Sequence, residues 1–298
     1  MKRKIEKSKK DISRHYDVGN DFYRLFLGEQ MVYSSAYFKR PGADINEAQQ
    51  DKLTYICRKL RLKPGEKLLD IGCGWGGLVI WAAKHFGVEA YGITLSKNQY
   101  DYALEWIKQE GVDHLCRVEL RDYREIAGEK IFDKIASIGM FEHVGVRNMP
   151  GYFKAVNRLM KEKGLFLNHG ITQEKTDRGK SSGEKFIDTY VFPGGELTNI
   201  SYILQVMEDT GFEILDVESL RTHYAKTLKL WTRGLREQKE KARQLVDEKT
   251  YRIWELYMAG CAYGFEKGNI NIYQTLASKH CEPGIPKIPL TREDLYKY

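Results

Sequence analysis

The sequence predicts an α/β fold, a doubly wound parallel sheet covered by a helical cap. Two observations carry this. Apolar strand-like runs alternate with helical patterns between residues 67 and 171. The first run, KLLDIGCGWGG at 67–77, passes from a strand through a glycine-rich turn directly into a helix. Strands are expected at 67–72, 89–94, 117–120, 132–139 and 164–171, with helices at 78–86, 97–110 and 151–161. The helix ends are signalled locally. Ser96 with Gln99 and Asp44 with Glu47 have capping-box spacing, Pro150 suits a first turn, and Gly87 suits a stop.

The flanks depart from the alternation. Residues 1–62 read as an N-terminal helical cap, 63–171 as the core, and 172–280 as a cap insertion with the last strands and C-terminal helices; all belong to one domain spanning 1–298. The insertion opens on a polar, glycine-containing loop. It continues to a helix near 199–209, a strand at 212–220, and long helices near 226–245 and 251–265. The tail 281–298, with Pro283, Pro286 and Pro289, is expected to be irregular.

Composition narrows the class. With 298 residues, 42% hydrophobic and 30% charged, the chain has globular composition and can bury a large core. No uncharged apolar run approaches the length of a membrane span, and the basic start MKRKIEKSKK has no apolar stretch behind it. The five cysteines are odd in number and form no CxxC pair, so reduced cytosolic thiols and a cytoplasmic location are expected, and no metal. The net charge of +7 is concentrated in Lys2, Arg3, Lys4, Lys7, Lys9 and Lys10, and again in Arg233, Arg236, Lys239, Lys241 and Arg243. Such runs suit either solvated faces or an anionic lipid or nucleic-acid surface.

Glycines 72, 74, 76 and 77 let the backbone turn sharply and bring N–H groups against a ligand, and that ligand is expected to be a nucleoside-type cofactor. A dinucleotide site would place an acid about 20 residues further on, but the second strand ends Gly92-Ile93-Thr94-Leu95-Ser96. The acid instead precedes the glycines, as Asp70. That DxGxGxG order is the first motif of class I S-adenosylmethionine methyltransferases. Two further candidates follow from topology. Strands four and five are expected to flank the topological switch and to bring Glu142 and His169 to the cofactor's reactive end, where they could hold a proton acceptor. Taken singly, Glu142 is equally consistent with a surface loop charge, and His169 with a satisfied core imidazole.

The segments HYDVGNDFY, YSSAYF, LLDIGCGWGGL, ITLSKNQ and GMFEHVG together resemble the cyclopropane-fatty-acid and mycolic-acid cyclopropane synthase family, over about residues 15–268. The resemblance implies a seven-stranded, Rossmann-like class I methyltransferase sheet and S-adenosylmethionine as cofactor, with S-adenosylhomocysteine as product. It implies cofactor contacts from Tyr33, Ser34, Gly72, Gly74 and Gly76, from Thr94, Leu95 and Gln99, and from Tyr123 at the adenine. It also implies a bicarbonate ion held by Ser35, Glu142, His169 and Tyr224 with backbone from Gly139 and Ile171. Ser35 stands where the family's YSCAYF motif has cysteine.

The implied reaction is methyl transfer to the cis double bond of an unsaturated fatty acyl chain, then ring closure through a carbocation. That requires an apolar, water-free site with aromatic faces. Tyr16, Phe141, Tyr190, Phe192 and Phe265 are the substrate-side candidates, with Tyr16 and Tyr224 nearest the cation. The expected partner is an unsaturated phospholipid at the inner membrane surface, contacted peripherally, with no nucleic acid and a possible homodimer. Methyl branching without ring closure, N-methylation of a small amine, and a non-catalytic binder are the rival readings.

Overall fold

The computed structural model describes residues 18–174, 179, 181–280 and 288–296. Tyr16, the N-terminal basic run and Cys281 lie outside the described residues. Seven strands form one sheet: β1 (Lys67–Ile71), β2 (Glu89–Thr94), β3 (Cys116–Leu120), β4 (Phe132–Ile138), β5 (Met160–Gln173), β6 (Phe212–Ser219) and β7 (Ile270–Lys279). Their spatial order is β3-β2-β1-β4-β5-β7-β6. The helices, in chain order, are α1 (Asn20–Arg24), α2 (Ile45–Lys59), α3 (Gly77–Phe86), α4 (Lys97–Gln109), α5 (Met149–Leu159) and α6 (Ser182–Tyr190). There follow α7 (Ile200–Asp209), α8 (Arg221–Glu237), α9 (Lys239–Leu245), α10 (Glu248–Lys267) and the short α11 (Glu293–Tyr296).

The local signals act as expected. Asp44 and Ser96 cap α2 and α4 by accepting from the N–H groups of Glu47 and Gln99, Pro150 lies in the first turn of α5, and Gly87 ends α3 with φ +65°. Neither cap becomes a full capping box. The Gln99 carboxamide accepts from Thr94 Oγ1 at 2.8 Å, and the Glu47 carboxylate pairs with Arg40.

Five features differ from the sequence reading. First, the sheet is mixed. β1 to β5 are parallel, but β7 enters between β5 and β6 and runs antiparallel to both. The chain turns at Gly268 (φ +78°) and, one residue later, joins the sheet from α10 in the reverse sense. Second, the topological switch lies between β1 and β4, because β3 and β2 extend from one side of β1 and β4 and β5 from the other. Third, the helix expected at 226–245 is two. At the break, Gln238 donates its Nε2–H to the Leu25 carbonyl oxygen at 2.6 Å, tying the cap's C-terminal helices to its N-terminal segment. The polar loop also contains a helix, α6, closed by a Ser181–Glu184 capping box, and the tail contains α11, docked through Arg61–Asp294 and Tyr55–Tyr296.

The cap is held by packed aromatic rings. Phe22, Tyr23 and Phe26 of the α1 region pack on Trp254 of α10 at centroid separations of 5.7, 5.3 and 6.1 Å, and Tyr23 meets Trp75 of the glycine turn at 4.9 Å. Trp75 also donates its indole N–H to Asn20 at 2.7 Å. These large buried rings fix the cap against the cofactor turn.

Candidate active site

At the C-terminal end of the parallel strands lies a cavity of about 700 Å³. Its walls come from the β1 turn, the end of β2, the 121–124 segment, the end of β4 and the N-terminal segment 31–34. Of the residues predicted to touch a cofactor, Tyr33, Ser34, Asp70, Gly72, Gly74, Thr94, Leu95, Gln99 and Tyr123 all line it, as does Gly139. Gly76 does not. It begins α3 at φ +92°, and a Cβ there would press on Ala103 and Ile80, so its role is helix packing.

The turn is built by the backbone. Gly72 and Cys73 both donate N–H to the Ile93 carbonyl, at 3.0 and 2.9 Å, clamping β1 to β2 as the chain leaves the sheet. Gly72 has φ +83°, and a Cβ there would sit 2.7 Å from Met140 at the end of β4. Any side chain would therefore push apart the two strands that flank the switch. Gly72→Ala is expected to cost about 2 kcal/mol or more of stability and to weaken S-adenosylmethionine binding at least about tenfold. Thermal melting and titration calorimetry check this, and wild-type affinity in the variant would show that the close approach is unimportant.

The cavity lining carries one buried acid and one buried base. Asp70 is buried at the end of β1 with no hydrogen-bond partner for Oδ1. Burial pushes its carboxyl up to about 7, against the pull of the Lys52 charge. Lys52 was missed by the sequence reading. It projects from α2, is almost wholly buried, donates to Ser34 Oγ at 3.0 Å, and lines the same cavity. Burial lowers its ammonium to about 7, opposed by Asp70. The signal was present: Lys52 falls in register with the buried Ala48, Gln49, Leu53 and Ile56, on the face of α2 turned to the core. At the end of β2, Thr94 orients Gln99, and Asp122 caps the turn at Tyr123 while pairing with Arg124 at 2.7 Å. Burial raises the Tyr123 phenol to about 12, so it presents a neutral ring.

Of the predicted ion-holding residues, Gly139 lines the cavity, and Ser35, Glu142, His169, Ile171 and Tyr224 stand outside its lining. Glu142 accepts the Ile171 N–H on Oε1 at 2.6 Å, while its buried Oε2 has no partner. Burial raises its carboxyl to about 7. His169 lies inside β5, fully buried, opposite Ile138 and Gln274 in register. Its Nδ1 faces the Gln274 amide nitrogen at 3.4 Å, and its Nε2 has no partner. Burial drives its pKa well below the usual range, so the ring is neutral. Gly139 donates N–H to the His169 carbonyl at 2.9 Å, joining the two strand ends. Ser35 is buried, with its hydroxyl donated to the Ala36 carbonyl at 3.1 Å.

Tyr224 packs on Phe265 and Trp231, within electrostatic reach of the buried Tyr33–Tyr257 hydroxyl pair, which is 3.2 Å apart. Among the substrate-side candidates, Phe192 stands against Tyr257 and the cavity residue His143 at 5.9 and 5.6 Å. The others stand elsewhere. Phe141 packs in the core with Tyr152 and Phe153, Phe265 is core beneath Tyr224, and Tyr190 is 51% exposed on α6. Aromatic spacing alone did not separate cavity wall from core.

A glycine turn after Asp70 of β1, polar groups at the end of the second strand and a buried acid in the cavity lining fit S-adenosylmethionine, whose sulfonium and ammonium are cationic. With this sheet order, they define a class I S-adenosylmethionine-dependent methyltransferase. Residues 3–275 match the family model described as mycolic acid cyclopropane synthetase. A probable fatty acid methyltransferase of Pseudomonas putida is 50% identical over 289 residues, spanning 96% of this chain and 73% of that protein. The cyclopropane-fatty-acyl-phospholipid synthase of Escherichia coli is 38% identical, covering 91% of this chain and 68% of that one. The crystal structure of mycolic acid cyclopropane synthase CmaA1 complexed with SAH and CTAB superposes with a TM-score of 0.86 at 36% identity, over 91% of this chain and 98% of that one. The chain belongs to the mycolic acid cyclopropane synthetase family and is a methyltransferase.

Proposed function

We propose that this enzyme transfers the methyl group of S-adenosylmethionine to a cis double bond of an unsaturated fatty acyl chain carried by a phospholipid, and closes a cyclopropane ring. The observation that carries the reading is the pair of buried, unpartnered polar atoms, Glu142 Oε2 and His169 Nε2. Such orphans are costly unless a polar guest joins them, and bicarbonate, with both donor and acceptor oxygens, suits a carboxylate and a neutral imidazole. The cofactor supplies an electrophilic methyl group, and bicarbonate held there supplies a base.

The chain's own groups do the rest. Tyr33, Trp231, Trp254 and Tyr257 form a buried aromatic wall beside the cavity. That wall excludes water and offers ring faces to a carbocation on the acyl chain. Glu142, anchored through Oε1 by Ile171, leaves Oε2 free to hold that base. The lipid is drawn from an anionic membrane surface, in keeping with the net charge of +7; among the described residues no helix is long and apolar enough to cross a membrane.

A second reading, methyl branching without ring closure, is favoured by Ser35, whose hydroxyl is spent on the Ala36 carbonyl. One experiment separates the two. Unsaturated phospholipid and methyl-labelled cofactor are incubated with enzyme, and the acyl products are analysed by mass spectrometry and NMR. Ring protons carrying label are expected. A labelled branch with no ring would replace the first reading by the second, and no labelled lipid would overturn both.

A further inference from the structure

We propose that the outer face of α8 and α10 docks the protein on an anionic phospholipid bilayer; this rests on the acyl-lipid reading above and names the surface that serves it. α10 has two unlike faces. Its inner face carries Trp254 and Tyr257, and the Tyr257 hydroxyl meets that of Tyr33 at the cavity wall. Its outer face repeats Lys249, Arg252, Leu256, Gly260, Tyr263 and Lys267 at steps of three and four, all exposed. Leu256 and Tyr263 are 60% and 59% bare, large apolar groups in the middle of a stripe whose ends are basic. The Lys267 ammonium stands 5.5 Å over the Tyr263 ring, and that of Lys249 stands 5.7 Å over the ring of Tyr190, itself exposed on α6. An apolar centre bearing tyrosine and framed by lysine and arginine matches the order of a bilayer interface, with acyl boundary, headgroup and then phosphate.

The charge is complementary to an anionic membrane. Residues 221–267 hold eleven Lys and Arg against six Asp and Glu, a surplus of five within the chain's +7. Acids near the stripe are already neutralised: Glu266 by Lys229, Glu255 by Arg236, and Glu248 by Arg243 and Arg252. The Lys229–Glu266 and Arg236–Glu255 pairs also tie α8 to α10, so the two helices present one surface. Its positive charge repels a second copy of itself and attracts anionic headgroups. Docked this way, the cavity wall is one helix diameter, about 10 Å, from the membrane, a depth that an acyl chain spans.

Sedimentation with vesicles tests this on the full chain. Phosphatidylglycerol–phosphatidylcholine vesicles are expected to carry the protein down at low salt, and pure phosphatidylcholine vesicles much less. Leu256→Glu with Tyr263→Glu is expected to weaken partitioning by about tenfold or more. Lys249→Glu with Lys267→Glu is expected to weaken it similarly and to flatten its salt dependence. Both pairs should retain wild-type melting, S-adenosylmethionine affinity by calorimetry, and transfer to detergent-dispersed lipid. Well-folded variants that sediment like the wild type would overturn the assignment, as would a wild type that ignores phosphatidylglycerol. A wild-type dimer that the first pair converts to monomer, with vesicle binding unchanged, would give the face to a second copy instead. If vesicle binding responds as stated but no lipid acquires label, the docking surface stands and the acyl-transfer reading falls.

Discussion

Replacing Glu142 with Gln is expected to lower turnover on an unsaturated lipid by about 10²–10⁴-fold, while S-adenosylmethionine binding is preserved. The substitution is conservative where the fold depends on it, because a carboxamide oxygen can still accept the Ile171 N–H that Oε1 accepts now. What disappears is the charge on the second, unpartnered oxygen. The pH dependence follows from the same burial. The carboxyl is raised from 4.5 to about 7, so wild-type activity should climb as pH passes through about 7, and the residual activity of the variant should lack that limb.

Stability runs the other way. Between its unfolded and folded pKa values the native state holds a proton that the unfolded chain has released, so stability from this group is full below the unfolded value. It is lost as pH rises towards about 7. The variant should lose that slope. Rate profiles and melts across this pH range check both halves. A wild-type profile flat through neutrality, with turnover in the variant unimpaired, would remove Glu142 from the chemistry.

The second large effect concerns Asp70 and Lys52. Asp70→Asn keeps the shape at the end of β1 but leaves the Lys52 ammonium buried without its opposing charge. A stability loss of about 2 kcal/mol is expected, below the range for a fully ionised buried pair because burial already pushes both groups towards neutrality. Cofactor affinity is expected to fall about tenfold or more, since the cavity loses the carboxylate turned towards its cationic guest. Lys52→Met alone should also destabilise. Combined with Asp70→Asn, it should cost less than the two losses added together, because neither orphaned group then remains. Urea denaturation of the four proteins gives the cycle, and strictly additive losses would show that the two groups do not act on each other.

Why Lys52 escaped the sequence reading, while Asp70 did not, shows what the chain makes legible. Asp70 is announced by its neighbours, since an acid at the end of an apolar strand before a glycine turn has one structural meaning. A lysine within a helix resembles any solvated lysine until the helix is docked. β7 was hidden for a related reason. Four of its residues, Asn271, Gln274, Thr275 and Ser278, are polar yet buried, so the apolar period that marks a strand is broken. The first five strands and the caps of α2 and α4 needed no such tertiary help. Their signals lie within a few residues of each other, and the structure puts them where the sequence does. The substrate-side aromatics fared worst, because Phe141, Phe265 and Phe192 differ in what packs against them and not in their spacing.

The placement of β7 has a bearing on how the molecule comes into being. In the chain it is the last strand, yet in space it is the next-to-last, wedged between β5 and β6 with Gln274 opposite His169. During synthesis the glycine turn and the cavity around Asp70 can form early, from parallel neighbours already made. The strand that buries His169 emerges only after α8 to α10 have left the ribosome. Until residues 270–279 arrive, β5 has an open edge and β6 has no place in the sheet. The order of translation therefore puts most of the cavity lining in place before the strand that buries His169.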